Sequence, residues 1–335
     1  MFSVLSSSKL PRFSEISNLL DDSYKHFIVI CDSKFKNKKI LKSWFKKKGF
    51  HFYFIPSGES IKSVKFLGVH LKEILKISEK TCHTDFAFIS IGGGSIGDVT
   101  GFLASVYKRG SPVMHIPTTY LAALDSAHGG KTALNFQNIK NFIGSYHFPK
   151  AVFIVKDFFK TLSKKQVQSG YGELLKMALI GGGSFYKNLK KSPQISDSMT
   201  QAAIVLKMKI VKKDPYEKKG IRKVLNLGHT IGHIFESVYG LPHGVAVLQG
   251  LLFSITWSFK KNFLNQADFD EIKSLIPVSL KKVSKNKFIK FLRKDKKYKS
   301  SHQIDFVFIK KPGKVFIKSV SEKEIIQEAQ RQGIF

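Results

Sequence analysis

The stretch "DFAFISIGGGSIGDVTGFLASVYKRG", residues 85–110, carries the plan of the first half of the chain. "FAFISI" is an apolar run of strand length interrupted only by Ser90, as expected of a parallel strand covered on both faces. Three glycines follow at once, and "VTGFLASVYKRG" continues as a helix. Strand, glycine turn and helix form the setting in which GxGxxG has a physical meaning, and Gly92, Gly94 and Gly97 satisfy that pattern. Glycines let backbone N–H groups approach a pyrophosphate at the helix N-terminus, where the macrodipole favours negative charge. One usual partner is missing. An acidic residue is expected about 20 positions on to hold a ribose, and that stretch is "PVMHIPTTYLA". Asp32 and Glu59 at earlier strand ends, and Asp98 just inside the helix, are the available acids. A dinucleotide site of a non-standard kind is therefore expected.

Outward from this turn the alternation repeats. "HFIVICD" (26–32) predicts a buried strand and "KKILKSWFKKKG" (38–49) a helix stopped by Gly49. "FHFYFIPSGES" (50–60) predicts a strand running into a loop, "SVKFLGVHLKEILKISEK" (63–80) a helix, and "PVMHIPTT" (112–119) a further strand. Such alternation argues for an α/β domain, a parallel sheet flanked by helices. From residue 158 onward amphipathic helical stretches take over, such as "QSGYGELLKMALI" and "TQAAIVLKMKIVKK". We expect a dinucleotide-binding α/β domain over residues 1–159 and a mainly α-helical domain over 160–335. There is no internal repeat.

Composition narrows the function classes. A chain of 335 residues with 43% hydrophobic residues can bury two cores of ordinary size. Cys31 and Cys82 stand far apart and outside any CxxC spacing, which removes a disulfide framework and a zinc ribbon and favours a reducing compartment. The start lacks the apolar core of a signal peptide and no run is long enough to span a membrane, so a cytoplasmic protein is expected. The formal charge of +32 would concentrate anionic ligands. The lysines are scattered, with local runs only, and read as a solvated surface. No zinc finger or RRM-type motif points to a specific nucleic acid.

The chemistry concentrates in "VLNLGHTIGHIFESVYGLPHGVAV", residues 224–247. His229 and His233, four apart, share a helical face, and His243 follows a turn marked by Gly240 and Pro242. Imidazoles at this spacing can present nitrogens to one metal, with Gly228, Gly232 and Gly244 permitting close approach. Spacing alone leaves open whether all three coordinate. Glu173 in "GYGELLKMALI", with Lys176 a turn later, is a candidate carboxylate. Such a mixed set suits zinc or cobalt better than magnesium. "DSAHGGKTALNFQNIKNFIG" (125–144) adds Asp125, Lys131, Lys140 and Asn141 in a glycine-punctuated loop. "KMKIVKKDPYEKKGIRKVLNLGH" adds Lys207, Arg222 and Asn226, the last two immediately before the histidines. Lysine, arginine and amide groups gathered in this way suit phosphate and carboxylate oxygens.

Taken in order, "PSGESIKS", "GGGSIGDVTGFLASVYKRG", "PTTYLAALDSAHGGKTALNF", "KNFIGSYHFP", "YGELLK", "IRKVLNLGHTIGH" and "LPHG" resemble the 3-dehydroquinate synthases, which are sugar phosphate cyclases. The resemblance spans residues 28–310. It implies an NAD-binding α/β domain, a helical metal- and substrate-binding domain, and a homodimer. It implies Glu173, His229 and His243 as ligands of a divalent zinc or cobalt ion, with His233 contacting substrate instead. Asp32, Glu59, Lys62, Gly92, Gly93, Gly94, Asp98, Thr118, Thr119 and Lys140 would line the NAD site. Asp125, Lys131, Asn141, Lys176, Lys207, Arg222, Asn226 and Lys296 or Lys297 would hold substrate, and Arg109 would reach a neighbouring subunit's phosphate. The implied reaction converts the seven-carbon keto-acid phosphate DAHP to 3-dehydroquinate and phosphate, with NAD regenerated. Four departures stand out. Val245 replaces an acidic residue after "HG", "SAHGGKT" replaces "SSVGGKT", "DPYEKKGIR" is one residue longer than usual, and "IGGGSFY" is unusually rich in glycine.

Overall fold

The computed structural model describes residues 3–137, 139–294 and 301–335, and the chain divides into two compact units, Met1–Leu162 and Ser163–Phe335. The first unit is built on six parallel strands: β1 (Ser3–Ser7), β2 (Phe27–Asp32), β3 (Phe50–Ile55), β4 (Ala87–Gly92), β5 (Val113–Pro117) and, later in the chain, β8 (Ala151–Val155). Their order across the sheet is β1-β8-β5-β4-β2-β3. Side chains alternate between the faces because successive Cβ atoms point opposite ways. Val29, Cys31, Ile89 and Ile91 enter one core, while Ile28, Ile30 and Phe88 enter the other. Both faces being covered, β2 and β4 are buried along their whole length, as the apolar runs in their sequences require.

Four elements depart from the expectations. β1 is an edge strand of mostly exposed residues, SVLSS, with no apolar run to announce it. The helix expected over 38–49 shrinks to a 3-10 turn, Lys39–Leu41, and one helical turn, Lys42–Phe45. Only Leu41 and Trp44 there are buried, too few for a helix-long stripe. The glycine-punctuated loop of 125–144 is largely an antiparallel ribbon of β6 (Lys131–Phe136) and β7 (Ile139–Tyr146). The division between units falls beyond Leu162 because the 3-10 segment Lys156–Thr161 stays with the first core: Phe158 meets Phe35 edge-on at 4.8 Å, and Phe159 stacks on Tyr120 at 4.5 Å.

The second unit is mainly helical, with an antiparallel pair, β9 (Gln303–Lys311) and β10 (Lys314–Ser321), closing its core. The strands join at Pro312-Gly313, and Gly313 has φ 87°, the geometry a proline-glycine turn favours. Trp257 packs edge-on against Phe306 and Phe308 of β9 at 4.8 and 5.0 Å. The glycines of "IGGGSFY" have a packing reason. A Cβ on Gly182 would lie 2.5 Å from the Cα of Gly313, so the β9–β10 turn can rest there only against glycine. No helix among the described residues is long and apolar enough to cross a membrane.

Candidate active site

In the first unit the expected nucleotide residues gather at the carboxyl ends of adjacent strands, where open parallel sheets bind ligands. Asp32 ends β2, Gly92 ends β4, and Thr118 follows β5, its N–H donating to the Gly92 carbonyl at 2.9 Å. The helix Gly94–Val106 starts directly after Gly93. A Cβ on Gly92 would meet Ile96 at 2.5 Å, so this turn requires glycine. The pocket at the turn is lined by Gly92, Gly93, Gly97, Asp98, Ser126 and Lys131, among others. Thr119 caps the next helix by accepting the N–H of Ala122. Asp32 is buried, and it accepts the N–H of Lys34 and pairs with that ammonium at 3.1 Å.

A second cluster centres on Lys62, whose side chain is 3% exposed. Its ammonium donates to Asp98 at 2.7 Å and to the side-chain oxygen of Asn141, and lies 3.9 Å from Glu59. Asn135, absent from the expected set, donates to Glu59 at 2.9 Å and accepts the N–H of Asn141 at 2.8 Å. Asn141, expected among the substrate residues, is thereby tied to the same network as three NAD candidates. Loss of water around Asp98 pushes its carboxyl above the usual carboxylate range, against the pull of Lys62 and with Glu59 and Asp125 adding to the rise. Lys140 is exposed on β7, and Arg109 is exposed on the turn Tyr107–Arg109 with φ 69°. His128, one of the departures, is buried, and its Nε2 lies 2.7 Å from the Ala123 carbonyl.

In the second unit three helices bring the metal candidates together. Glu173 comes from Lys164–Gly181, His229 opens His229–Tyr239, and His243 opens His243–Lys260. These helices touch backbone to backbone. A Cβ on Gly244 would stand 1.7 Å from the Ser169 carbonyl oxygen, and one on Gly250 would stand 1.7 Å from that of Gly228. The close approach expected of Gly228 and Gly244 is therefore realised, and it is what lets side chains from three helices converge.

One ligand atom each from Glu173, His229 and His243 lies within 4.8 Å of the others. Glu173 Oε1 is 3.5 Å from His229 Nε2 and 3.3 Å from His243 Nε2. Charge-assisted hydrogen bonds are shorter, about 2.7–2.9 Å. Donors each about 2.1 Å from a tetrahedral ion stand about 3.4 Å apart, which is the spacing found. The opposite ring nitrogens are committed elsewhere. His229 Nδ1 lies 3.2 Å from the Leu227 carbonyl, and His243 Nδ1 lies 2.9 Å from Glu236 Oε2. Such outer contacts fix which nitrogen a histidine offers. Glu173 is fully buried, and its other oxygen contacts the Lys176 ammonium. Burial pushes the His243 imidazole down, but Glu173 and Glu236 together carry it up to about 10. The donor set fits a zinc- or cobalt-like divalent ion.

A second grouping, His233, Glu236 and His243, also lies within 4.8 Å. The rings of His233 and His229 are 5.4 Å apart. Glu236 was missed in the sequence, although it sits three positions after His233. It supplies an acidic partner to His243 at 2.9 Å. Lys176, Lys207 and Arg222 are all buried in this unit, at 1%, 4% and 4% exposure. Arg222 Nη1 donates to the Pro215 carbonyl at 2.8 Å, and Nε lies 3.3 Å from Glu217, a second residue that had not been singled out. Asn226 ends the 3-10 segment Ile221–Asn226, half-buried. Lys296 and Lys297 lie outside the described residues.

Family models described as the 3-dehydroquinate synthase N-terminal and C-terminal parts match residues 52–169 and 170–298. A 3-dehydroquinate synthase of Pelagibacter ubique is 37% identical over 82% of this chain and 79% of its own. One of Bacillus pumilus is 34% identical over 91% of this chain and 87% of its own. Among solved structures, 2-deoxy-scyllo-inosose synthase complexed with carbaglucose-6-phosphate, NAD+ and Co2+ superposes with a TM-score of 0.82 at 23% identity, covering 98% of this chain and 96% of that one. That likeness speaks for the fold. Contiguous family matches and relatives above 30% identity speak for descent, and the chain belongs to the 3-dehydroquinate synthase family.

Proposed function

We propose that this chain is a 3-dehydroquinate synthase that converts DAHP to 3-dehydroquinate and phosphate, with NAD and a divalent zinc or cobalt ion as cofactors. The observation that carries the reading is the donor set of the second unit, in a chain whose residues 52–298 match the family models. One unit buries Lys176, Lys207 and Arg222 nearly completely while it also holds Glu173, His229 and His243 at metal spacing. Lys176 contacts Glu173, and Arg222 lies 3.3 Å from Glu217; ammonium and guanidinium groups are the ones that recognise carboxylate and phosphate oxygens. A simple alcohol, as used by dehydrogenases of this fold, offers neither.

When bound, NAD and the metal supply a reversible oxidation of a secondary alcohol that acidifies the neighbouring C–H and so permits phosphate to leave. The protein's own residues are assigned as follows. Glu173, His229 and His243 hold the ion; the glycine turn, Asp32, Glu59, Lys62, Asp98, Thr118, Thr119 and Lys140 hold NAD. Arg222 and Lys207 orient the substrate carboxylate, and Lys131, Asp125, Asn141 and Asn226 orient its hydroxyl and phosphate groups. Lys176, close to Glu173, stabilises negative charge that develops beside the metal candidates. His233, whose ring adjoins the metal imidazoles, contacts substrate. Much of the rate then comes from positioning and from charge stabilisation in a dry site.

We also assign a homodimer, in which the exposed Arg109 serves a neighbour's site, and a cytoplasmic location. The exposed apolar side chains Ile139 and Phe142 on β7, 50% and 58% exposed, support a subunit contact. Product identification tests the reading. Zinc-loaded protein given DAHP should yield 3-dehydroquinate with no lasting NADH absorbance. A net build-up of NADH from a plain alcohol, with DAHP untouched, would favour a dehydrogenase.

A further inference from the structure

The helix Asp197–Lys213 ends at Asp214, and eight residues later the chain reaches Arg222. The Asp214 carboxylate is 2% exposed. Among the described residues no lysine or arginine side chain pairs with it. It collects main-chain N–H groups instead. Oδ1 accepts from Lys219 at 3.0 Å and Oδ2 from Arg222 at 3.4 Å, and the N–H groups of Lys218 and Ile221 also face it. Successive N–H groups converging on one anion form a nest, here filled by the chain's own carboxylate. Burial works against that charge, yet the four N–H groups hold the carboxyl below its usual range.

The loop is tied to its origin a second time, where Arg222 Nη1 donates to the Pro215 carbonyl at 2.8 Å. Backbone and guanidinium of Arg222 are thus both anchored to the first two residues of the segment. Holding this shape takes left-handed backbone at Glu217 (φ 56°) and Gly220 (φ 75°), which an untethered loop would give up. The metal candidates are secured by other contacts, Leu227 for His229 and Glu236 for His243.

We propose that Asp214 is a positioning residue for Arg222: by gathering the N–H groups of 218–222 it fixes where the guanidinium stands, and so sets affinity for the substrate's anionic group without touching substrate or metal. The inference rests on the reading that Arg222 holds that group, and the test separates the two. Steady-state kinetics with DAHP are measured for the zinc- and NAD-loaded wild type, Asp214→Asn, Arg222→Ala and the double variant, with zinc content and thermal midpoint alongside. An amide at 214 sets an N–H₂ donor against the N–H cluster and removes the charge. With the guanidinium no longer held in place, KM should rise about tenfold or more, about 1.4 kcal/mol of lost binding or more. Turnover number should stay within about twofold and zinc content should not change.

In the Arg222→Ala background the same change should leave KM unmoved, because residues acting through one another are not additive. Asp214→Ser, which keeps an acceptor for one N–H and adds no opposing donor at nitrogen, stands in if the Asn variant does not fold, with the same silence expected beside Arg222→Ala. Equal loss in both backgrounds, or a fall in zinc content and turnover with unchanged KM, overturns the proposal and marks Asp214 as a general stability residue. A wild-type KM in Asp214→Asn beside a large rise in Arg222→Ala overturns the proposal alone. A wild-type KM in Arg222→Ala overturns both the proposal and the substrate role of Arg222.

Discussion

Gly244→Ala puts the convergence of three helices under direct load. The added methyl carbon would start 1.7 Å from the Ser169 carbonyl oxygen, a contact that real Cβ atoms hold at no less than about 3 Å. The atom met is main chain, so no side chain can swing aside. The helix His243–Lys260 must therefore retreat from Lys164–Gly181 by more than about 1 Å, or tilt by a similar amount at its first turn. His243 is the first residue of that turn, and its Nε2 now lies 3.3 Å from Glu173 Oε1. Metal–ligand distances tolerate only about 0.2 Å, so the shift is several times what coordination allows. Overpacking of this kind costs about 1–3 kcal/mol of stability, which a two-unit chain of ordinary stability survives. The expected result is a folded protein with a lowered unfolding midpoint and zinc affinity reduced at least about 100-fold, the upper end of outer-contact damage. Competition with a chromophoric chelator measures the affinity and far-UV circular dichroism the fold. A folded Gly244→Ala protein that binds zinc as tightly as wild type would refute the claim that glycine contact sets the ligand spacing.

Other outcomes follow from the same geometry. His243→Ala should lose bound zinc while His233→Ala retains it, as metal analysis after desalting would show; loss in His233→Ala would move the site to the His233–Glu236–His243 grouping. Glu236→Gln keeps a hydrogen bond to His243 but removes the charge, and should weaken zinc about 10–100-fold with little change in fold; unaltered affinity would count against its role. Burial holds His115 down to about 3, with His128 and His147 adding to the effect. The unfolded chain takes up that proton near pH 6.5 and the folded chain does not, so stability is full above 6.5 and falls toward pH 3, by about 1.4 kcal/mol per unit from this group. Urea midpoints between pH 4 and 6.5 should therefore fall more steeply for wild type than for His115→Gln, and parallel curves would dismiss the effect.

How far the sequence carries the fold depends on how local the deciding interactions are. The run Phe86–Ile91 and the glycines after it specify a buried strand and a tight turn without reference to anything distant. β1 is the opposite case: its residues are mostly exposed, and only pairing with β8 makes it a strand. The β9–β10 hairpin had a local signal in "DFVFIKKPGKVFIKSV", a turn pair between alternating apolar residues, which the helical pattern before it overshadowed. In the site, the spacing of His229 and His233 placed both on one helical face, but spacing cannot say which ring nitrogens turn toward Glu173. That choice rests on the Leu227 carbonyl and Glu236, contacts that exist only once the helices have packed. The part played by Asp214 was hidden for the same reason, since four N–H groups converge on it only in the folded loop.

The most direct measurement is the number of phosphate ions released from DAHP per molecule of NAD. With zinc-loaded protein and NAD held below the substrate concentration, release should continue through many turnovers, and metal-stripped protein should release none. Release that stops at one phosphate per NAD, or that proceeds equally without metal, would contradict the assignment.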